Sequence, residues 1–134
     1  MPSVEEDVLT ANAAFYDAFA ARDLDAMERL WALHAPVACV HPGWHALDGR
    51  SAVMASWRGI LRGPGAPTIT CADATVHLVG ETAFVLCTEQ LPGGVLIATN
   101  VFVREEDAWK LVHHHAGPVA EDDEDDRPPS SGLH

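Results

Sequence analysis

The hydrophobic period changes near the middle of the chain, and this change limits the folds open to it. Before the glycine- and proline-rich segment at residues 63–65, apolar residues recur at helical spacing, whereas after it they alternate with polar residues at the period of a strand. Helices that precede a run of strands, rather than alternating with them, are typical of an α+β domain with an antiparallel sheet.

Three helices are predicted, with one strand among them. A Ser-x-x-Glu capping box at Ser3 opens the first helix, and Asp23 caps a shorter second one that Pro36 ends. Residues 37–41 form a short strand, and a third helix runs from about residue 50 to residue 61. The helical part therefore contributes the order ααβα.

Four strands follow, at residues 68–79, 82–91, 95–104 and 109–116. Gly-Glu and Pro-Gly-Gly turns join the first three, which completes the order ααβαββββ. A chain of 134 residues fits one domain, which we place at residues 1–120. From Glu121 the sequence turns to acids, prolines and serines, so residues 121–134 are predicted to form a disordered acidic tail.

Charge and cysteine content bear on partners and location. The net charge is −12, and phosphate backbones and anionic lipids are bound through clustered Lys and Arg, so we expect neither nucleic acid nor membrane as a partner. Acids at the N-terminus stand where a signal peptide needs basic and apolar residues. Three scattered cysteines without a CxxC pair suit reduced thiols, so a cytoplasmic location is predicted.

Two sequence segments, together with the order of the elements, resemble a known family over about residues 4–118. The segments are FYDAFAARDLDAM, at residues 15–27, and WKLVHHH, at residues 109–115. Together they resemble the SnoaL-like, nuclear transport factor 2-like superfamily, whose fold is that of ketosteroid isomerases. The resemblance implies a cone-shaped curved sheet wrapped around three N-terminal helices, an inner cavity and a homodimer built through the sheet. Isomerases, polyketide cyclases, dehydratases and non-catalytic modules share this fold, so the function stays open.

The resemblance also places two site positions. In the isomerases the general base is a carboxylate just before a proline at the end of the first strand, and His41 before Pro42 matches that position. A first-helix tyrosine donates to the oxyanion there, but counting back from Asp23 puts Phe15 at that position, with Tyr16 one residue off. These departures argue against ordinary steroid isomerisation.

Histidines on the last strand are the other candidates for chemistry. Alternation puts His113 and His115 on the same face as Trp109 and Leu111, which look like the core side, whereas a bulge would bring His114 inward instead. Histidine suits proton transfer because its pKa lies near working pH. We predict His41 as a base, with His113 or His115 as the acid or oxyanion donor.

The remaining predictions concern ligand contacts and function. The sequence predicts a small-molecule-binding protein with a histidine-lined apolar pocket, acting as an acid/base isomerase, cyclase or dehydratase on a carbonyl or cyclic substrate; the alternative is a non-catalytic ligand-binding or dimerisation module. No nucleotide-binding glycine pattern is present, so no organic cofactor is predicted. The predicted ligand contacts are Trp44 and His45 at the pocket mouth, together with Phe15, Tyr16, Trp57 and Asn100.

Two other interpretations of the histidines remain. His41 can cap a strand end while the last-strand histidines hydrogen-bond across the sheet as ordinary half-buried residues. Alternatively, His41, His45, His113 and His115 have donor chemistry for a metal, with Glu89 or Asp73 as an oxygen ligand. Without an HxH or HExxH pattern placed on one known face, no metal is predicted. Glu89 follows Val85 and Cys87 at period 2 and so can reach the inner face. We expect it instead to lie at a strand end in water, because a buried unpaired carboxylate is costly.

Overall fold

The computed structural model describes residues 3–120, which form three helices and six strands. The strands lie in a single curved, unclosed sheet, and the predicted α+β class is confirmed. The helices are α1 (Val4–Ala21), α2 (Leu24–Leu30) and α3 (Arg50–Arg62), and the strands are β1 (Ala38–Val40), β2 (Leu47–Asp48), β3 (Thr70–Val79), β4 (Thr82–Leu91), β5 (Gly94–Glu105) and β6 (Ala108–Pro118).

The sheet has the order β2-β1-β6-β5-β4-β3, and it is mixed rather than wholly antiparallel. Strands β3 to β6 form an antiparallel meander, as predicted, but β1 pairs with β6 in parallel. No hairpin joins β1 to β6, so no turn dictates their relative direction. The two-residue strand β2, which the sequence did not predict, pairs antiparallel with β1.

Side-chain caps fix the ends of the first two helices. The predicted capping box is present: the backbone N–H of Ser3 donates to Glu6 Oε1 at 2.8 Å, and the Glu6 N–H donates to Ser3 Oγ at 3.1 Å. Asp23 accepts from the Ala26 N–H at 3.0 Å and so begins α2. Between them Arg22 takes a left-handed conformation, with φ 54°, which turns the chain so that α2 packs against α1.

A β-bulge in β6 decides which histidine faces the core. Val101 pairs with His113, but the next residue, Phe102, pairs with Leu111, so Val112 is an extra residue in β6. Beyond the bulge, alternation shifts by one position and His114 is buried. His113 and His115 lie on the outer face, so their predicted inward orientation is wrong and the bulge alternative holds.

The remaining fold findings concern membrane-spanning helices and the acidic tail. No helix within residues 3–120 has the length and hydropathy needed to cross a membrane. The predicted acidic tail at residues 121–134 lies outside the part of the chain that the structure describes.

Arg50, the first residue of α3, ties that helix to the end of α2. Its guanidinium donates to the Trp31 carbonyl at 3.0 Å, the Ala32 carbonyl at 2.9 Å and the Glu28 carbonyl at 2.8 Å. The last carbonyls of a helix have no partner within the helix, so the side chain of Arg50 satisfies groups that would otherwise need water.

Replacing Arg50 by Ala is expected to lower the free energy of unfolding by about 1–3 kcal/mol, because hydrogen bonds from a charged donor are lost. Arg58→Ala is the matched control on the same helix: its exposed 4.0 Å contact with Glu28 predicts a change within about 0.5 kcal/mol. Urea unfolding of both variants measures the difference. Equal losses for the two would contradict a specific role for Arg50.

Candidate active site

A cavity of about 440 Å³ lies between α1, α3 and the inner face of the sheet. This volume is within the range of small-molecule sites. Four polar side chains reach its wall, from Tyr16, His41, Glu89 and His114, and Trp44 stands at its edge with 48% of its surface exposed. The other large lining residues are apolar: Phe15, Phe19, Trp57, Ile60, Ile69, Leu91 and Leu96.

Glu89 is buried in the cavity wall, with 2% of its surface exposed, so its predicted place in water is wrong. Alternate residues of β4 are buried as far as Glu89. Tyr16 on α1 supplies a hydrogen-bond partner for its carboxyl. The Tyr16 hydroxyl donates to Glu89 Oε2 at 2.5 Å. A buried carboxyl with a hydrogen-bond donor avoids most of the cost on which the expectation rested.

Asn100 lies behind the wall and connects three of its neighbours. Its amide nitrogen donates to Asn12 Oδ1 at 2.9 Å and to the Tyr16 hydroxyl at 3.2 Å. Its oxygen lies 2.6 Å from His114 Nδ1 and can only accept. His114 therefore donates from Nδ1, and in the neutral ring the lone pair is on Nε2.

A second hydrogen-bond chain orients His41. Its Nε2 lies 2.9 Å from Ser56 Oγ, and the Ser56 hydroxyl donates to the Val53 carbonyl at 2.6 Å. With the hydroxyl hydrogen committed to Val53, His41 donates from Nε2 and its lone pair is on Nδ1. The edges of Trp44 and Trp57 pack around the ring, with centroids 4.8 Å and 4.7 Å away.

Burial shifts the pKa of each ionisable group of the wall toward its neutral form. Loss of hydration lowers the pKa of His41 to about 4 and that of His114 to about 3. The same cause raises the pKa of Tyr16 and, against the hydrogen bond from Tyr16, that of Glu89. With its pKa at about 3, the His114 ring is neutral near pH 7, so its 4.0 Å approach from Nε2 to Glu89 Oε2 is not an ion pair.

The predicted site residues divide into three groups. His41 lines the cavity together with Phe15, Tyr16, Trp44 and Trp57, whereas Asn100 is buried behind its wall. His45 is exposed and does not line the cavity. His113 and His115 lie on the opposite face of the sheet, so the structure does not bring them to His41.

Because of this separation, the metal ligands considered from the sequence do not lie together. Among them, the histidines lie inside the cavity, on an exposed loop and on the outer sheet face. Across residues 3–120, no three or more His, Cys, Asp and Glu side chains of one chain come together as a metal site would require.

Two residues of the site, Asn12 and Ser56, were not predicted from the sequence. Both are polar residues on apolar helix faces, four residues after Val8 and three after Val53, which is a readable signal. His114 was predicted to face inward only if β6 contains a bulge, and the sequence does not mark that bulge.

A family model, the SnoaL-like domain, matches residues 8–121. The chain belongs to the SnoaL-like domain family. The predicted resemblance is thereby confirmed, and solved structures of nuclear transport factor 2-like proteins agree with it. A Pseudomonas putida protein of that kind, 20% identical with a TM-score of 0.76 over 93% of this chain and 96% of its own, shares the fold.

Two solved structures are nearer in sequence. A candidate dehydratase of the nuclear transport factor 2-like family from Streptomyces avermitilis is 38% identical, with a TM-score of 0.81 over 87% of this chain and 96% of its own. A candidate calcium/calmodulin-dependent protein kinase type II association domain from Thiobacillus denitrificans is 35% identical, with a TM-score of 0.74 over 84% of this chain and 94% of its own.

A curated relative is the F-box protein SKIP8 of Arabidopsis thaliana, 27% identical over 119 residues. The match covers 87% of this chain and 52% of SKIP8, so the chain spans about half the length of that relative.

The low pKa values of His41 and His114 predict a pH-dependent stability. Between about pH 6.5 and pH 4, His41 and His114 bind protons in the unfolded chain but not in the folded one. The free energy of unfolding should therefore fall as pH falls through this range, by up to about 1.4 kcal/mol per pH unit for each histidine. Glu89 acts in the opposite sense, because its raised pKa lets the folded state hold a proton longer.

Urea unfolding at a series of pH values tests this expectation. His41→Gln removes one of the two histidines with a lowered pKa, so the free energy of unfolding should fall less steeply with falling pH than in the wild type. Parallel pH profiles for the wild type and His41→Gln would show that burial does not hold His41 neutral.

Proposed function

We propose that this protein binds a small neutral β-hydroxy carbonyl compound in the cavity and eliminates water from it. The observation that carries the proposal is the placement of one buried carboxyl and two buried imidazoles, Glu89, His41 and His114, in an otherwise apolar wall. No Lys or Arg is among the described residues that line the cavity, so nothing there would pair with a carboxylate or phosphate group.

The gap between His114 and Glu89 suits a hydroxyl group. Their facing atoms, Nε2 and Oε2, are 4.0 Å apart, which is too far for a direct hydrogen bond. Burial raises the pKa of Glu89 and so favours the protonated carboxyl, which would be a donor, while the His114 lone pair is an acceptor. A substrate hydroxyl can donate to His114 and accept from Glu89, whereas a carbonyl oxygen would set its own lone pairs against that of His114.

His41 is suited to act as the base for the same reaction. Its ring centroid is 6.4 Å from that of His114, and both rings line the same cavity. Its pKa of about 4 keeps Nδ1 unprotonated near pH 7. General-base catalysis requires that form of the ring.

The elimination then balances within the site. His41 takes the proton from the carbon next to the carbonyl, and that electron pair forms the new C=C bond as the C–O bond breaks. The leaving oxygen takes the proton of Glu89 and departs as water, which leaves an α,β-unsaturated carbonyl product. Return of the proton from His41 to Glu89, through solvent, restores both groups.

The similarity to the Streptomyces avermitilis protein supports this choice among the reactions that the sequence leaves open. That protein is described as a candidate dehydratase and is 38% identical to this chain. The fold alone would not distinguish dehydration from isomerisation or cyclisation.

A second candidate function is association without catalysis. Leu86 and Ile97 are 38% and 49% exposed on the outer face of the sheet, and a relative 35% identical is described as a candidate association domain. We propose a homodimer formed through this face. Such a dimer is compatible with a catalytic cavity on the inner face, and a cytoplasmic location stays a prediction.

Conversion of 3-hydroxycyclohexanone to cyclohex-2-enone, followed by the absorbance of the conjugated product, tests the dehydration. The compound is neutral and cyclic, and its hydroxyl lies β to the carbonyl. We expect the wild type to accelerate the reaction over buffer, with His41→Ala and Glu89→Gln each slowing it about 100-fold or more. His115→Ala is the matched control and should retain wild-type rates.

The outcomes distinguish dehydration from ligand binding without catalysis. Quenching of tryptophan fluorescence by the ketone, lost in Trp57→Phe, with no turnover and no deuterium exchange next to the carbonyl, would favour a non-catalytic binding module. Turnover that survives both His41→Ala and Glu89→Gln would refute the assigned roles.

A further inference from the structure

Two histidines stand side by side on the outer face of β6, away from the cavity. His113 and His115 pair with Val101 and Thr99, the neighbours of the inward-facing Asn100 on β5. Residues two apart on a strand project from the same face. Their ring centroids are 6.2 Å apart, so the run at residues 113–115 presents an His-x-His pair outward.

The hydrogen bond of His113 fixes its tautomer. Nδ1 lies 3.0 Å from the Ala38 carbonyl on β1, and a carbonyl can only accept. Nδ1 therefore carries the hydrogen, and the lone pair is on Nε2. A metal-ligating histidine is commonly held in this way, with its other ring N–H donated to a backbone carbonyl. His115 is exposed and has no hydrogen bond to the described residues, so its ring is available too.

We infer that His113 and His115 form half of a zinc site, which the same two histidines of a second copy complete. Zn²⁺ takes four ligands in tetrahedral geometry, with Zn–N distances of about 2.0–2.1 Å, and two imidazoles on one ion have ring centroids roughly 5–6 Å apart. The 6.2 Å between the two ring centroids is close to this separation. Within residues 3–120 of one chain, no third ligand joins it.

A two-fold axis supplies the missing ligands. In a symmetric dimer each surface meets its own copy, so a pair close to the axis becomes four imidazoles. Thr99, Leu86 and His115 lie in line across β4, β5 and β6, and the exposed Leu86 and Ile97 extend the same face. Packing these apolar neighbours against a second copy would keep water from the ion. The inference rests on the dimer proposed above and not on the dehydration.

Zinc stoichiometry and molecular mass test the inference together. The full chain, without an affinity tag, is stripped with EDTA and titrated with ZnCl₂ by calorimetry, and its mass is followed by analytical ultracentrifugation. We expect one zinc per two chains, all chains dimeric in zinc, and Co²⁺ with a tetrahedral visible spectrum. His113→Ala and His115→Ala should each lower zinc affinity at least tenfold. His77→Ala, which removes a histidine stacked on Phe84 at 4.6 Å on the same face, should not.

Other results would overturn the site. One zinc per chain without a change in mass would show that no second copy completes it, and wild-type affinity in His115→Ala would show that zinc binds elsewhere. A dimer that persists in EDTA and binds no zinc would overturn the metal site and leave the dimer standing. The dehydration assay is independent, because His41 and Glu89 lie on the inner face.

Discussion

The carboxamide of Asn100 governs the inner end of the cavity. Its two hydrogens go to Asn12 and Tyr16, and its oxygen takes the hydrogen of His114. If the amide group flipped, its NH₂ would face the N–H of His114, and two donors would oppose each other. This one buried side chain therefore determines which nitrogen of His114 carries a lone pair and which way the Tyr16 hydroxyl points. A fully satisfied network of this kind makes a polar group stable inside an apolar core.

The apolar wall and the polar groups depend on each other. Phe15 and Trp57 surround the imidazole of His114, with ring centroids 4.9 Å and 6.1 Å away, and exclude the water that would stabilise its charge. The same exclusion raises the pKa of Glu89. Burial therefore shifts the pKa values of the base and the acid in opposite directions, each toward the form in which it would react.

Sequence periodicity was sufficient for the class, the helices and the antiparallel meander, because those features follow from local patterns of burial. It could not give the parallel pairing of β1 with β6, since contacts between distant segments leave no local pattern. It allowed Glu89 an inward position but could not decide for it, because the cost of burying a carboxyl is offset by Tyr16, which is far away in sequence and donates to it. His41 was found because its place before Pro42 matches a family position, whereas only the fold shows that Ser56 is its hydrogen-bond partner.

The bulge at Val112 makes the spacing along β6 matter as much as its composition. Before the bulge the strand buries odd-numbered residues, and after it the even-numbered ones. Loss of that one residue would remove the phase shift, so that either Leu111 or His114 would have to exchange faces with a neighbour. Substitutions in this stretch alter one side chain each, but a change of length would exchange the contents of the cavity with those of the outer surface. Relatives that differ in length here should therefore be compared by face before they are compared by residue.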